Sequence, residues 1–336
     1  MLETRLDLST CPALDASRDY SNALIQRARE ALAATVADLE AVETIAVCGS
    51  LGRLEANPSS DIDSIIVVDG EPGHAESAAL AERVSQVLGP LELKASKPWG
   101  IYREPIGSAS LLEIAALGSL NEPTGVFGKR LQLLLDARPL LHEKAFTRLQ
   151  ARVVDWYATG FLDVKPGSSW TYLINDLLRY LHSYAAWQQY KFERTRDDSW
   201  QLRQAKFRST RLVTLAGLLV LLGESNHDSG KRNWLIERLA YSPLERLALV
   251  MNKYDRSAFD EFLEAYEVIH RLTSDPTIRD ELLTTGPDSI ATLAREPLRT
   301  YAQIHEVSGN ILHVLTRFIL ARQADWDPRF YERLIF

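Results

Sequence analysis

The chain has 336 residues, 46% of them hydrophobic and 25% charged, with a formal net charge of -7 at pH 7. That length exceeds one core of ordinary size and predicts two domains; the composition excludes global disorder, and the acidic balance excludes a general polyanion binder while allowing a local basic patch. Two cysteines, Cys11 and Cys48, exclude a disulfide framework and fit a reducing, cytoplasmic setting.

The N-terminal stretch MLETRLDLSTCPALDASRD carries acids and no apolar core, so no secretory signal is expected. Apolar residues recurring at three- and four-residue steps predict a first helix from about Tyr20 to Leu39. TIAVCGS then reads as a buried strand running into a turn, and DIDSIIVVDG as a second strand closed by Asp69-Gly70. A helix over roughly Ala75 to Leu88 ends at Gly89-Pro90. LELKASK follows as a third strand and SLLEIAAL as a possible fourth. Helix, strand, strand, helix, strand describes a small α/β unit. From about Gly125 the periodicity turns helical, in GKRLQLLLDARPLL, KAFTRLQARVVDWYA, SWTYLINDLLRYLHSYAAWQQYKF and SWQLRQAKFRSTRLVTLAGLLVLL, then in FDEFLEAYEVIHRL and Pro297 to Ala321. The most apolar run, Leu212 to Gly223, is too short to span a bilayer, so no membrane partner is expected. The expectation is α+β: a mixed-sheet domain over 1–142 followed by an all-α bundle over 143–336.

One short span concentrates the chemistry. Asp61 and Asp63 lie one residue apart on a predicted strand, so both carboxylates leave the same face while Ile62 points the other way. Two acids that close repel unless cations sit between them, and Mg²⁺ favours carboxylate oxygens together with substrate phosphates. Upstream, Gly49-Ser50 follows a strand and lets the backbone approach a phosphate without a Cβ in the way. Its amides and the Ser50 hydroxyl are candidate donors to phosphate oxygens, and Arg53 could pair with the same polyphosphate through its planar fork. Against each half stands a bland alternative: a polar strand entrance for Asp-x-Asp, a plain turn for Gly-Ser.

Gly49-Ser50 followed by Asp61-Ile62-Asp63 resembles the hallmark of the DNA polymerase β nucleotidyltransferase superfamily. The spelling GSLGRLEANPSSDID is similar to the branch containing signal-protein uridylyltransferases and adenylyltransferases, and to bacterial proteins labelled only as putative nucleotidyltransferases. The likeness is specific over residues 45–69 and diffuse across the helical stretches. It implies a metal-dependent transfer with two Mg²⁺ or Mn²⁺ ions held by Asp61 and Asp63, and a third carboxylate on a later strand. That place falls on Glu92, a glutamate where the superfamily usually has aspartate, with Glu104 as a substitute.

In the helical region, Asn175, Arg179 and His182 fall on one helix face, and Arg203, Lys206 and Thr210 form a second polar stripe with Arg211 beside it. KFRSTR packs three cations into six residues of an acidic protein, which makes Arg203 and Lys206 candidate nucleotide contacts; a solvated helix face is the competing explanation. No HExxH or Cys/His zinc spacing, no P-loop and no Gly-x-Ser-x-Gly elbow occurs. The expected activity is therefore transfer of a nucleoside monophosphate from a nucleoside triphosphate such as ATP to an acceptor hydroxyl, with pyrophosphate released. A protein or small-molecule acceptor is favoured over nucleic acid, and the chain could form a homodimer. Competing expectations are a nucleotide-binding regulator without turnover, and a toxin- or antitoxin-type nucleotidyltransferase acting on RNA.

Overall fold

The computed structural model describes residues 6–35, 41–71, 73–91, 94–95, 102, 104–158, 170–195, 200–225, 230–284 and 299–335. The chain is α+β and mostly helical, with one small mixed sheet. It divides into two compact units. The sheet unit comprises Ser17–Asp176 and Ser225–Ser242; the helical unit comprises Met1–Ala16, Leu177–Glu224 and Pro243–Ile335. Each unit is thus assembled from separate stretches of chain, and the sheet unit runs on to Asp176.

Within the sheet unit the chain runs through most of α1 (Pro12–Ala33), β1 (Val42–Cys48), a four-residue helical turn α2 (Gly49–Gly52), β2 (Asp61–Val68), α3 (His74–Leu88), β3 (Lys94–Ala95), β4 (Ile106–Gly107), α4 (Ser108–Leu111), α5 (Thr124–Leu135), β5 (Arg138–Leu141) and α6 (Glu143–Ala158). β1 pairs antiparallel with β2 on one side and with β5 on the other. β3 and β4 pair in parallel with the two ends of β2, so both occupy its far edge. One face of the hairpin, with Ile45, Val47, Ile62, Ile66 and Val68, packs on Leu24, Ala28 and Leu32 of α1 and Val84 and Leu88 of α3. Ala46, Cys48, Ile65 and Val67, on the alternate positions, are also fully or almost fully buried, and α6 packs onto β1. Burial on both faces explains why these strands read as continuous apolar runs.

Several expectations change here. α1 starts eight residues before Tyr20, at a proline suited to a first helical turn, and the Glu267 carboxylate accepts from the Ala13 and Leu14 amides at 2.9 and 3.0 Å. The far end of the expected helix, residues 36–39, lies outside the described residues. SLLEIAAL forms no strand: Ser108–Leu111 and Ile114–Ala116 are short helical turns, and the pairing strand is Ile106–Gly107 just before them. ARPLL, expected at a helix end, instead contains edge strand β5, where Pro139 is tolerated.

α6 stays with the sheet unit, and so does α10 (Lys231–Arg238). Arg232 Nη2 donates to Asp155 at 2.7 Å, and Trp170 Nε1 donates to Ser225 Oγ at 2.8 Å. The helical unit holds most of α7 (Thr171–Thr195), α8 (Trp200–Lys206), a π-helical turn (Phe207–Arg211), α9 (Leu212–Glu224), α11 (Pro243–Tyr254), α12 (Arg256–Ser274), α13 (Pro276–Thr284), α14 (Arg299–Ala321) and α15 (Pro328–Ile335). α9 is apolar on nearly every side and packs against α11. Gly217 permits that approach, since a Cβ there would lie 2.7 Å from the Pro243 carbonyl oxygen. Among the described residues no helix is long and apolar enough to cross a membrane.

Candidate functional site

The end of β1 turns sharply at Gly49, whose φ of +69° is left-handed and favours glycine. Arg53 and Leu54 amides close the helical turn onto the Gly49 and Leu51 carbonyls at 3.0 and 3.1 Å, and Glu55 N donates to Ser50 O at 2.8 Å. Leu54, at φ 66°, takes the left-handed conformation that returns the chain toward β2. Gly52 is pressed against the neighbouring backbone: a Cβ there would sit 2.1 Å from the Asp136 carbonyl oxygen. Arg138 Nε donates to Gly52 O at 2.8 Å, and Ala56 N donates to Ser21 Oγ at 2.9 Å.

Beneath this bend lies a buried ionic cluster. Asp136, at the C-terminal end of α5, accepts from the Gly49 amide, from Arg53 Nη1 at 3.0 Å, and from Gln132 Nε2. Burial pushes its carboxyl pKa up, and Arg53, Gln132 and the Gly49 amide pull against that shift without cancelling it. Arg53 Nε also donates to Glu55 at 2.7 Å, and its side chain is only 12% exposed. The arginine expected to grip a polyphosphate is therefore bound to two internal carboxylates and anchors the turn from below. The Gly49 amide likewise serves Asp136.

Asp61 and Asp63 both sit half-buried on one face of β2. Asp63 pairs across the hairpin with Cys48, and its Oδ2 lies 3.1 Å from where a Gly49 Cβ would be. The carboxylate thus faces the bend through the gap that glycine leaves. Among the described residues, the Asp61 carboxylate and the Ser50 hydroxyl have no hydrogen-bond or ion-pair partner. The Cys48 thiol donates to the Asp63 carbonyl oxygen at 3.5 Å. Burial above all, then the Asp136 and Asp63 carboxylates, raises its pKa well above the ordinary thiol value, against a hydrogen bond with Tyr102.

Gly49 and Asp63 are thus brought together, with Asp61 on the same face of β2, Ser50 next in the bend, and Arg53 and Asp136 as support. Glu92 lies outside the described residues. Glu104 is exposed, and its backbone carbonyl accepts from Lys129 Nζ at 2.6 Å. Among the described residues no group of three or more His, Cys, Asp or Glu side chains is placed to hold a metal ion. Asp61 and Asp63 would fit a hard cation as a pair of half-buried oxygen donors on one strand face. Arg203 and Lys206 lie on α8 in the helical unit, where Arg203 Nη1 donates to Gln188 Oε1 at 3.4 Å. Arg179 and His182 belong to that unit and Asn175 to the sheet unit, so their shared stripe crosses the division. The residue sequence reasoning missed is Asp136, whose partner Arg53 is far away in the chain.

No protein-family model matches this sequence, and no curated protein matches it.

Proposed function

We propose that the sheet unit binds a nucleoside triphosphate and transfers its nucleoside monophosphate to an acceptor hydroxyl. The observation that carries this reading is the Asp63 carboxylate turned toward the Gly49-Ser50 bend, with Asp61 beside it on the same strand face. Ser50 supplies a free hydroxyl to a phosphate oxygen. Asp61 and Asp63 would hold Mg²⁺ or Mn²⁺, which when bound neutralises phosphate charge and polarises the reacting phosphorus. Arg53 and Asp136 are positioning residues that keep the bend rigid, so the donors need no reorganisation as charge develops.

In the reaction, the acceptor oxygen bonds to the α-phosphorus as the bridging bond to the β-phosphate breaks. Pyrophosphate leaves with the bonding pair, and the hydroxyl proton passes to a carboxylate, the role the resemblance gives Glu92, or to water. A cytoplasmic location belongs to the same proposal and fits the two free, buried cysteines.

The test is to incubate the full chain with Mg²⁺, each of the four labelled ribonucleoside triphosphates and a cell lysate as acceptor source, following pyrophosphate release and labelled products. Asp61→Ala and Asp63→Ala should each lower release on the order of a thousandfold with circular dichroism unchanged. Release that both variants retain refutes the assignment. Tight triphosphate binding without release refutes transfer and identifies a nucleotide sensor.

A further inference from the structure

The basic stretch singled out in the sequence lies in the helical unit and has its own geometry. α8, the π turn and α9 form one uninterrupted helix from Trp200 to Glu224. The π turn loosens it at Phe207–Arg211, where Ser209 and Thr210 hydroxyls donate back to the Ala205 and Lys206 carbonyls at 2.7 and 3.2 Å. Such turns are frequent at functional sites. Phe207 stacks on Tyr184 of α7 with centroids 5.9 Å apart and planes within 18°. Arg211 lies over the same Tyr184 ring at 3.7 Å.

Tyr184 is one of a row. At about 100° per residue, Tyr180, Tyr184, Trp187, Tyr190 and Arg194 share roughly one third of the α7 circumference. Tyr180 stacks on Tyr184 at 6.5 Å, and Arg194 lies over Tyr190 at 5.5 Å while donating to its hydroxyl at 2.7 Å. In the outer part of the row Trp187 and Tyr190 are each 54% exposed, among the large exposed hydrophobics of the described residues. An exposed indole and phenol flanked by guanidinium groups is poorly explained as core packing.

Charge and length select the occupant. Residues 177–211 carry eight Lys and Arg against three Asp and Glu, a local excess of five positive charges in a chain of net charge -7. The row from Tyr180 to Arg194 covers roughly 21 Å at about 1.5 Å per residue, longer than one nucleotide. The exposed rings of Trp187 and Tyr190, with Arg194 beside Tyr190 and Arg211 over Tyr184, match unpaired bases on a phosphate backbone. A duplex hides its base faces, and an acidic peptide has none.

We infer that this face of α7, with the adjoining π turn, binds a single-stranded nucleic acid. The surface lies wholly in the helical unit, and its binding does not depend on the transfer reading.

Fluorescence anisotropy with a labelled 12-nucleotide single-stranded RNA of mixed sequence tests this on the full chain. Saturable binding is expected, weakening as salt rises. Trp187→Ala and Tyr190→Ala should each weaken it about tenfold, whereas Leu320→Ala, at an exposed leucine elsewhere in the unit, and Asp63→Ala should leave it unchanged. A duplex of the same length should bind at least about tenfold more weakly. The inference is overturned by absence of saturable binding at low salt, by binding that Trp187→Ala and Tyr190→Ala both leave intact, or by polyglutamate displacing the strand as well as unlabelled RNA does. Loss of transfer with strand binding kept, or the reverse, separates the two proposals.

Discussion

Arg53 in the sheet unit and Arg211 in the helical unit are held by opposite means. Arg53 is enclosed by the carboxylates of Glu55 and Asp136, whereas Arg211 rests on the ring of Tyr184. The first arrangement spends the guanidinium's donors internally and fixes a backbone bend. The second leaves donors at the surface and fixes only the cation's position. One region is therefore built to place other groups, and the other to present its own.

The contrast breaks most readily at the glycines. Gly52→Ala drives a Cβ into the backbone at Asp136 and should cost about 4 kcal/mol in urea denaturation of the full chain. Gly223→Ala, in the helical unit, meets a side chain and not backbone, the Trp326 ring packed among Phe318, Phe330 and Tyr331, and should cost about 2 kcal/mol. Equal costs would mean the bend is no more rigid than a helix contact.

Next come the arginines themselves. Arg53→Ala strands two buried carboxylates and should cost about 3 kcal/mol; Arg211→Ala should cost about 1 kcal/mol. A reversed order in thermal or urea midpoints would undo the comparison.

The smallest effect sharpens it within the sheet unit. Lys129 is buried and donates to a backbone carbonyl, and burial lowers its pKa to about 8, with Glu104 opposing the shift. Because its folded pKa lies below the ordinary 10.5, the unfolded chain binds more protons between those values. Stability contributed by this group therefore rises as pH rises from about 8 toward 10.5. Lys129→Met should remove that rise, seen as a flatter dependence of the urea midpoint on pH. An unchanged slope would show that Lys129 stays charged.

The hairpin and its bend were legible in the sequence because both signals are local: β-branched runs of strand length, then Gly-Ser. Asp61 and Asp63 on one strand face follow from alternation alone. β5 was not legible, because RPLL directly follows a long helical run and its partner strand lies almost a hundred residues earlier. SLLEIAAL is a short apolar run that resembles a strand, but pairing with β2 is taken up by Ile106 and Gly107. The start of α1 depends on Glu267, far away in the chain, and the Asp136–Arg53 pair likewise has no short-range signature. For the same reason the ion pair that Arg53 makes with Asp136 was not legible beside its expected ligand contact. The stretch that forms α7 read as a helix with a polar stripe, and its row of aromatic side chains, with Trp187 and Tyr190 exposed, came only with the fold.

Cys48 lies beside the bend, and burial above all, then the Asp136 and Asp63 carboxylates, pushes its thiol pKa well up. For the proposed site this has a consequence for metal choice. A thiolate at that point would attract soft ions such as zinc or copper(I) and would compete as a nucleophile beside a triphosphate. With the sulfur buried within the packed strand, the proposed site would take its preference from Asp61 and Asp63, and carboxylates favour magnesium- or manganese-like ions.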